Sequence, residues 1–202
     1  MTTTELDLTI EIRSENGSRT QFYQSDRESI SKVFRLLIKP RLFTRPFLML
    51  ASELSVSAIP SRTIDMVLVR TPLPLPLPLP PGWLEIVEVA VEKFHSGVAS
   101  HATNGADREG LSAEAEETTS FVEIHTSGDW KIVLKLQTTF QATVQDRRQR
   151  LADFFELPVI PFHLESGGIG FINPAKISRV TVYPAFKGVA ETALPADFLR
   201  SI

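Results

Sequence analysis

Apolar and polar residues alternate with period two through Leu6-Asp7-Leu8-Thr9-Ile10-Glu11-Ile12, which puts Leu6, Leu8, Ile10 and Ile12 on one face of a half-buried strand. Asn16-Gly17 follows, a dipeptide suited to the positive φ angles of a tight hairpin turn, and residues 20–23 return as the partner strand. The period then changes. Ile30, Val33, Phe34 and Leu37 recur at helical spacing behind Ser25 as cap and Glu28 as its box partner, and Pro40 blocks continuation, so a helix is predicted over residues 26–38. Short strands are predicted at 47–51, 55–59 and 64–70. Trp83, Ile86, Val87, Ala90, Val91 and Phe94 trace one helical face, with Glu85 in its first turn and Lys93 in its last, where the helix dipole favours each. Their β-branched content argues for a strand. A helix is preferred because residues 195–199 also read as a helix start, with Pro195 in the first turn.

The pattern recurs in the second half. Residues 121–124 and 130–136 read as strands around a Ser127-Gly128-Asp129 turn, and whether 138–143 adds another strand is left open. Asp146 then stands as cap with Gln149 as its partner, Leu151, Phe154 and Phe155 form the stripe, and Pro158 ends it, an offset of 121 from the first helix. Strands are predicted at 162–165, 169–172 and 177–183. Ile59, Ile64, Val67 and Val69 fall on Ile172, Ile177, Val180 and Val182 at a constant offset of 113, while Pro46-Phe47 falls on Pro161-Phe162 and residues 79–84 on 194–199 at 115. These echoes predict an internal duplication. The expected fold is α+β, each repeat a small mostly antiparallel sheet with one capped amphipathic helix and a terminal helix, the two related by pseudo-twofold symmetry. Residues 1–94 form the first repeat, including a proline-rich connection at 71–81; 95–120 form a flexible acidic linker; 121–202 form the second repeat. The PLPLPLPLPP run is read as a stiff spacer rather than a docking motif, because its counterpart at 184–193 spans nearly the same distance.

Composition narrows the chemistry. The chain has 202 residues, 43% hydrophobic and 22% charged, an ordinary globular balance. Its net charge of −3 divides into +2 over residues 1–72, −6 over 73–120 and +1 over 121–202, which argues against a general polyanion binder. The absence of cysteine excludes disulfides, thiolate zinc sites and thiol nucleophiles. No secretion signal opens the sequence and no apolar run approaches the roughly 18 residues of a membrane span, so the expected location is cytoplasmic, with no membrane partner.

Candidate chemistry is sparse. His163 and Glu165, two apart on a predicted strand beside Gly167 and Gly168, have the residue types for an acid/base pair or half a metal site in the seam between repeats, with glycines that let a ligand approach the backbone. The plainer reading, a strand end with a glycine turn, is preferred, and neither a metal nor a cofactor is predicted. Arg41 and Arg45 interleave with Phe43 and Phe47 as a single-strand nucleic-acid surface would, and Arg147 and Arg148 open the second helix, where an anion would meet free N–H groups. Ser29 and Lys32 match the spacing of some acyl-transfer enzymes without their companion motifs. The favoured expectation is a non-catalytic binding or scaffolding protein of unknown partner. The alternatives are a ligand-binding or hydrolytic site at His163 and Glu165, and nucleic-acid binding through residues 35–45.

Overall fold

The computed structural model describes residues 8–37, 41–52, 54–73, 75, 77, 79–91, 93, 94, 116–140 and 144–183. Strands β1 (Leu8–Ser14) and β2 (Arg19–Gln24) form the first hairpin, closed by the Ser14 amide donating to Ser18 O at 3.0 Å, with Gly17 at φ 76° where a side chain would be strained. Helix α1 (Arg27–Leu37) leads to the hairpin β3 (Phe47–Ala51) and β4 (Val56–Pro60), a 3-10 turn at Ser61–Thr63, β5 (Ile64–Arg70) and β6 (Trp83–Glu88). The second half runs β7 (Glu116–Thr126), β8 (Lys131–Phe140), α2 (Val144–Phe155), β9 (Ile160–His163), β10 (Ile169–Ile172), a 3-10 turn at Pro174–Lys176, and β11 (Ile177–Tyr183).

Nine of these strands form one sheet in the order β11-β7-β8-β6-β9-β10-β5-β1-β2, and β3-β4 stands apart as a two-stranded sheet. Pairing is antiparallel except between β6 and β9, where Val87 lies parallel to His163. Strands β5 and β10 join the halves, with Val67 opposite Phe171. They are buried on both faces, which explains their nearly unbroken apolar sequence. Val67, Val69, Ile169 and Phe171 share a core with Ile30 and Leu37 of α1. Met66, Leu68 and Ile172 point the other way, into the core that holds Phe154 of α2.

The registers repeat between halves. Ile12 lies opposite Thr20 on β2 and Val67 on β5; Ile124 lies opposite Ile132 on β8 and Val180 on β11. The bulge that lets β1 meet β5 between Arg13 and Ser14 recurs where β11 skips between Ile177 and Arg179 to meet Thr126 and His125. Offsets of 112 for β1 and β2 and 113 for β5 reproduce every one of these pairs.

The α+β expectation of two small sheets, each with two helices, is overturned. Among the described residues there are eleven strands and two helices of 11 and 12 residues, and one large mixed sheet draws its strands from both halves. The terminal helix predicted at 83–94 is strand β6, with a helical turn at its end where Phe94 N donates to Ala90 O at 3.0 Å. Its apolar spacing fits either period, and the free edges of β8 and β9 decided for the extended form. The matching helix start at 195–199 lies outside the described residues.

Smaller corrections follow from geometry. The cap of α1 is Asp26, whose Oδ2 accepts from Ser29 N at 2.7 Å, one residue later than Ser25 and its Glu28 box. Asp146 lies inside α2, which begins at Val144, rather than capping it. Pairing of Leu48 with Ile59 and of Ile160 with Ile172 puts Leu48 on Ile160, an offset of 112 and not 115. An odd shift reverses the faces, which is why exposed Phe47 could not match fully buried Phe162. Strand β7 starts within the stretch read as linker, β8 continues unbroken to Phe140, and the rest of the linker, 95–115, lies outside the described residues. In the proline-rich run, Leu73, Leu75 and Leu77 pack on the α1 core and Leu79 on the α2 core, so the run crosses from one core to the other.

Candidate functional site

The structure puts the two residues predicted to act together in the seam on different elements, His163 on a strand and Glu165 in a turn. His163 ends β9, half-buried between Ile169 and Val87. Leu164 turns into the core, and Glu165 sits in the exposed turn that follows. There Glu165 Oε2 accepts from Ala90 N at 2.9 Å and Oε1 accepts from Lys93 Nζ, tying the β9–β10 turn to the end of β6. The Lys93 hydrogen bond, helped by its charge and the Ala90 N–H, holds this carboxyl below its usual range against the opposing effect of burial. Gly168, at φ 102°, is explained by the protein's own backbone, because a Cβ there would lie 2.1 Å from Val69 O. Gly167, at φ 90°, has open space around it and serves the turn. A cavity of about 530 Å³ opens beside Glu165, lined also by Arg70, Glu88, Lys131 and Ser166; His163 is not among its described lining residues.

Arg41 and Arg45 lie on the rim of a second groove, about 370 Å³, whose walls are Gln24, Ser29, Lys32, Val33 and Leu37 on one side and β3 on the other. Lys32 pairs with Glu28 at 3.1 Å and the Ser29 amide is held by Asp26. Arg147 and Arg148 lie in the first turns of α2, far along the chain from this rim. Among the described residues no three metal-capable side chains stand together, and no helix is long and apolar enough to cross a membrane.

The feature missed from sequence is the hairpin bordering this groove. Leu48, Leu50 and Ile59 face the α1 core. On the opposite face Phe47 is 47% exposed, Met49 56% and Val56 63%, flanked by exposed Ala51 and Ala58, with Leu54 97% exposed at the tip. Their counterparts by register tell the other half of the story: Val159, Ile169 and Phe171 are buried in the α1 core. The second-half hairpin thus covers the first half, whereas the same face of the first-half hairpin is open. The signal was present in Phe47-Leu48-Met49-Leu50-Ala51, apolar on both faces of a strand that lies outside the main sheet.

Buried carboxylates serve cohesion. Asp65, fully buried, accepts from Thr126 Oγ1 at 2.6 Å, Gly128 N at 2.8 Å and Ser127 Oγ at 3.2 Å, which pins the β7–β8 turn of one half onto β5 of the other. Glu11 binds Arg13 at 2.7 Å, Arg70 at 3.0 Å and Gln21 at 3.2 Å. Burial raises its carboxyl, but the hydrogen bonds from Arg13 and Gln21, the Arg13 charge and Arg70 outweigh it and bring it down to about 2. Glu123, the counterpart of Glu11 at offset 112, is likewise raised by burial and brought below its usual range by Lys131 and His125, with Arg179 at 3.5 Å. No family model matches the chain, and no curated protein or solved structure matches it.

Proposed function

We propose that this chain is a non-catalytic binding or scaffolding protein of two tandem repeats, and that its binding surface is the outer face of the β3–β4 hairpin. The repeat of registers, down to the position of a bulge, supports descent of both halves from one unit. The observation that carries the binding role is the open apolar face of Phe47, Met49 and Val56, two of whose counterparts, Val159 for Phe47 and Ile169 for Val56, are core. A contiguous apolar face with a polar rim marks a protein-binding surface. Lys32, Arg41 and Arg45 beside it favour a protein partner that is apolar at the centre of its contact and acidic at the edge.

The test is capture of partner proteins by the chain and by the Met49→Lys, Val56→Lys double variant. The variant is expected to fold as the parent does and to lose the specific partner. Equal capture by both would place the surface elsewhere. Parallel loss with His163→Ala would instead favour the seam.

A further inference from the structure

We infer that the outward edge of β3 takes up an extended segment of a partner protein, apolar at alternate residues and acidic at one end, as an added strand in the groove beside α1. This rests on the binding role proposed above and specifies how the partner is held. The pairing of the hairpin shows which edge is open. Ser52 N donates to Ser55 O at 2.8 Å and Ser61 N donates to Pro46 O at 3.0 Å, at the two ends of a register that sets Leu48 opposite Ile59 and Leu50 opposite Ser57. Hydrogen-bonded and open pairs alternate along an antiparallel ladder, so residues 46, 48, 50 and 52 bond toward β4. The N–H and C=O groups of Phe47, Met49 and Ala51 therefore point away from it. Among the described residues no strand pairs with β3 on that side. The far edge of β4 is blunted, because its outward residues include Pro60, which has no N–H to give.

The surroundings of that edge define its guest. All five residues of β3 line the groove of about 370 Å³, whereas a strand face would supply only alternate residues, so it is the edge that borders the groove. Across from it stand Ser29, Val33 and Leu37, one face of α1 at helical spacing. An added strand shares the pleat of its neighbour. Its side chains level with Leu48 and Leu50 therefore turn toward the α1 core, against Val33, Leu37 and Leu42, and are required to be apolar. Arg41 and Arg45, exposed in the stretch that leads into β3, border the groove and form no ion pair among the described residues. Two such guanidinium groups at the Phe47 end call for carboxylates at the matching end of the guest. A helix or an acyl chain would cover the apolar floor but leave the main-chain groups of β3 desolvated and unpaired. An extended segment satisfies them, with alternate side chains setting its register.

The test titrates the full chain into a fluorescein-labelled peptide, Glu-Glu-Val-Thr-Val-Thr-Val, and follows anisotropy. Saturable binding is expected, weakened about tenfold by Arg41→Glu combined with Arg45→Glu. Met49→Pro removes an outward donor without touching the ladder to β4, and is expected to abolish binding while Tm stays near that of the parent. Two further peptides decide the matter if that variant fails to fold, one N-methylated at its valines and one at its threonines. Alternate amides of a strand face opposite sides, so one of these peptides is expected to lose binding and the other to keep it. Equal behaviour of the two overturns strand addition, as does the absence of saturable binding or indifference to the arginine substitutions. A dimer in sedimentation that the peptide does not dissociate would give the edge to a second copy and overturn it too. Failure of the binding role shows in partner capture by the Met49→Lys, Val56→Lys variant, and failure of this inference in the methylated pair, so the two are told apart.

Discussion

At the scale of single residues, the polar groups that matter are those the strands bury. Glu11 and Glu123 occupy equivalent places on β1 and β7, each followed two positions later by a basic partner, Arg13 or His125. The alternation of β1 assigned Glu11 to a solvated face, because nothing local indicates that β5 and Arg70 close over it. The signal lay in the offset of 112, which aligns the two glutamates. Since the folded Glu11 carboxyl is held at about 2 against an ordinary 4.5, its contribution is complete above pH 4.5 and is lost as pH falls from there toward 2. Glu11→Gln is expected to cost on the order of 2–3 kcal/mol at pH 7, and the gap to the parent to narrow at pH 3. Thermal unfolding at the two pH values checks this, and a gap independent of pH would contradict it.

At the scale of elements, the local pattern determined strands β5, β10 and β11 to the residue, along with the Asn16-Gly17 turn and the body of α1. It failed where a distant partner made the choice. Residues 83–94 satisfy a helical stripe, yet Ile86 is buried between β8 and β9, and the β-branched content that argued for a strand was the better guide. The candidate pair at the seam falls on two elements for a related reason: β9 ends at His163, and Glu165 lies in the turn beyond it. Gly168 illustrates how such a turn is dictated from outside, through the carbonyl of Val69. Gly168→Ala is expected to lose on the order of 2–4 kcal/mol from the forced backbone and the clash, measured by chemical unfolding, whereas a change within about 0.5 kcal/mol would show that the turn can move away from β5.

At the scale of the whole molecule, the sequence predicted a repetition but not how its strands would be arranged. Offsets along the chain predict which residues correspond; they do not say that β10 of one half pairs with β5 of the other, or that β6 crosses over, because those pairings join segments about 100 residues apart for β5 and β10 and about 50 for β6 and β8. The result is an exchange that is complete on one side and open on the other, and the open side carries the proposed binding face. Val56 and Ile169 hold equivalent positions on β4 and β10, one 63% exposed and the other fully buried. The most direct measurement is therefore thermal unfolding of Val56→Lys beside Ile169→Lys. Val56→Lys is predicted to keep the parent Tm, and Ile169→Lys, which puts an unpaired charge in the core, to lower it sharply or prevent folding. Equal losses from the two substitutions would mean that the face is already covered, and would contradict the account.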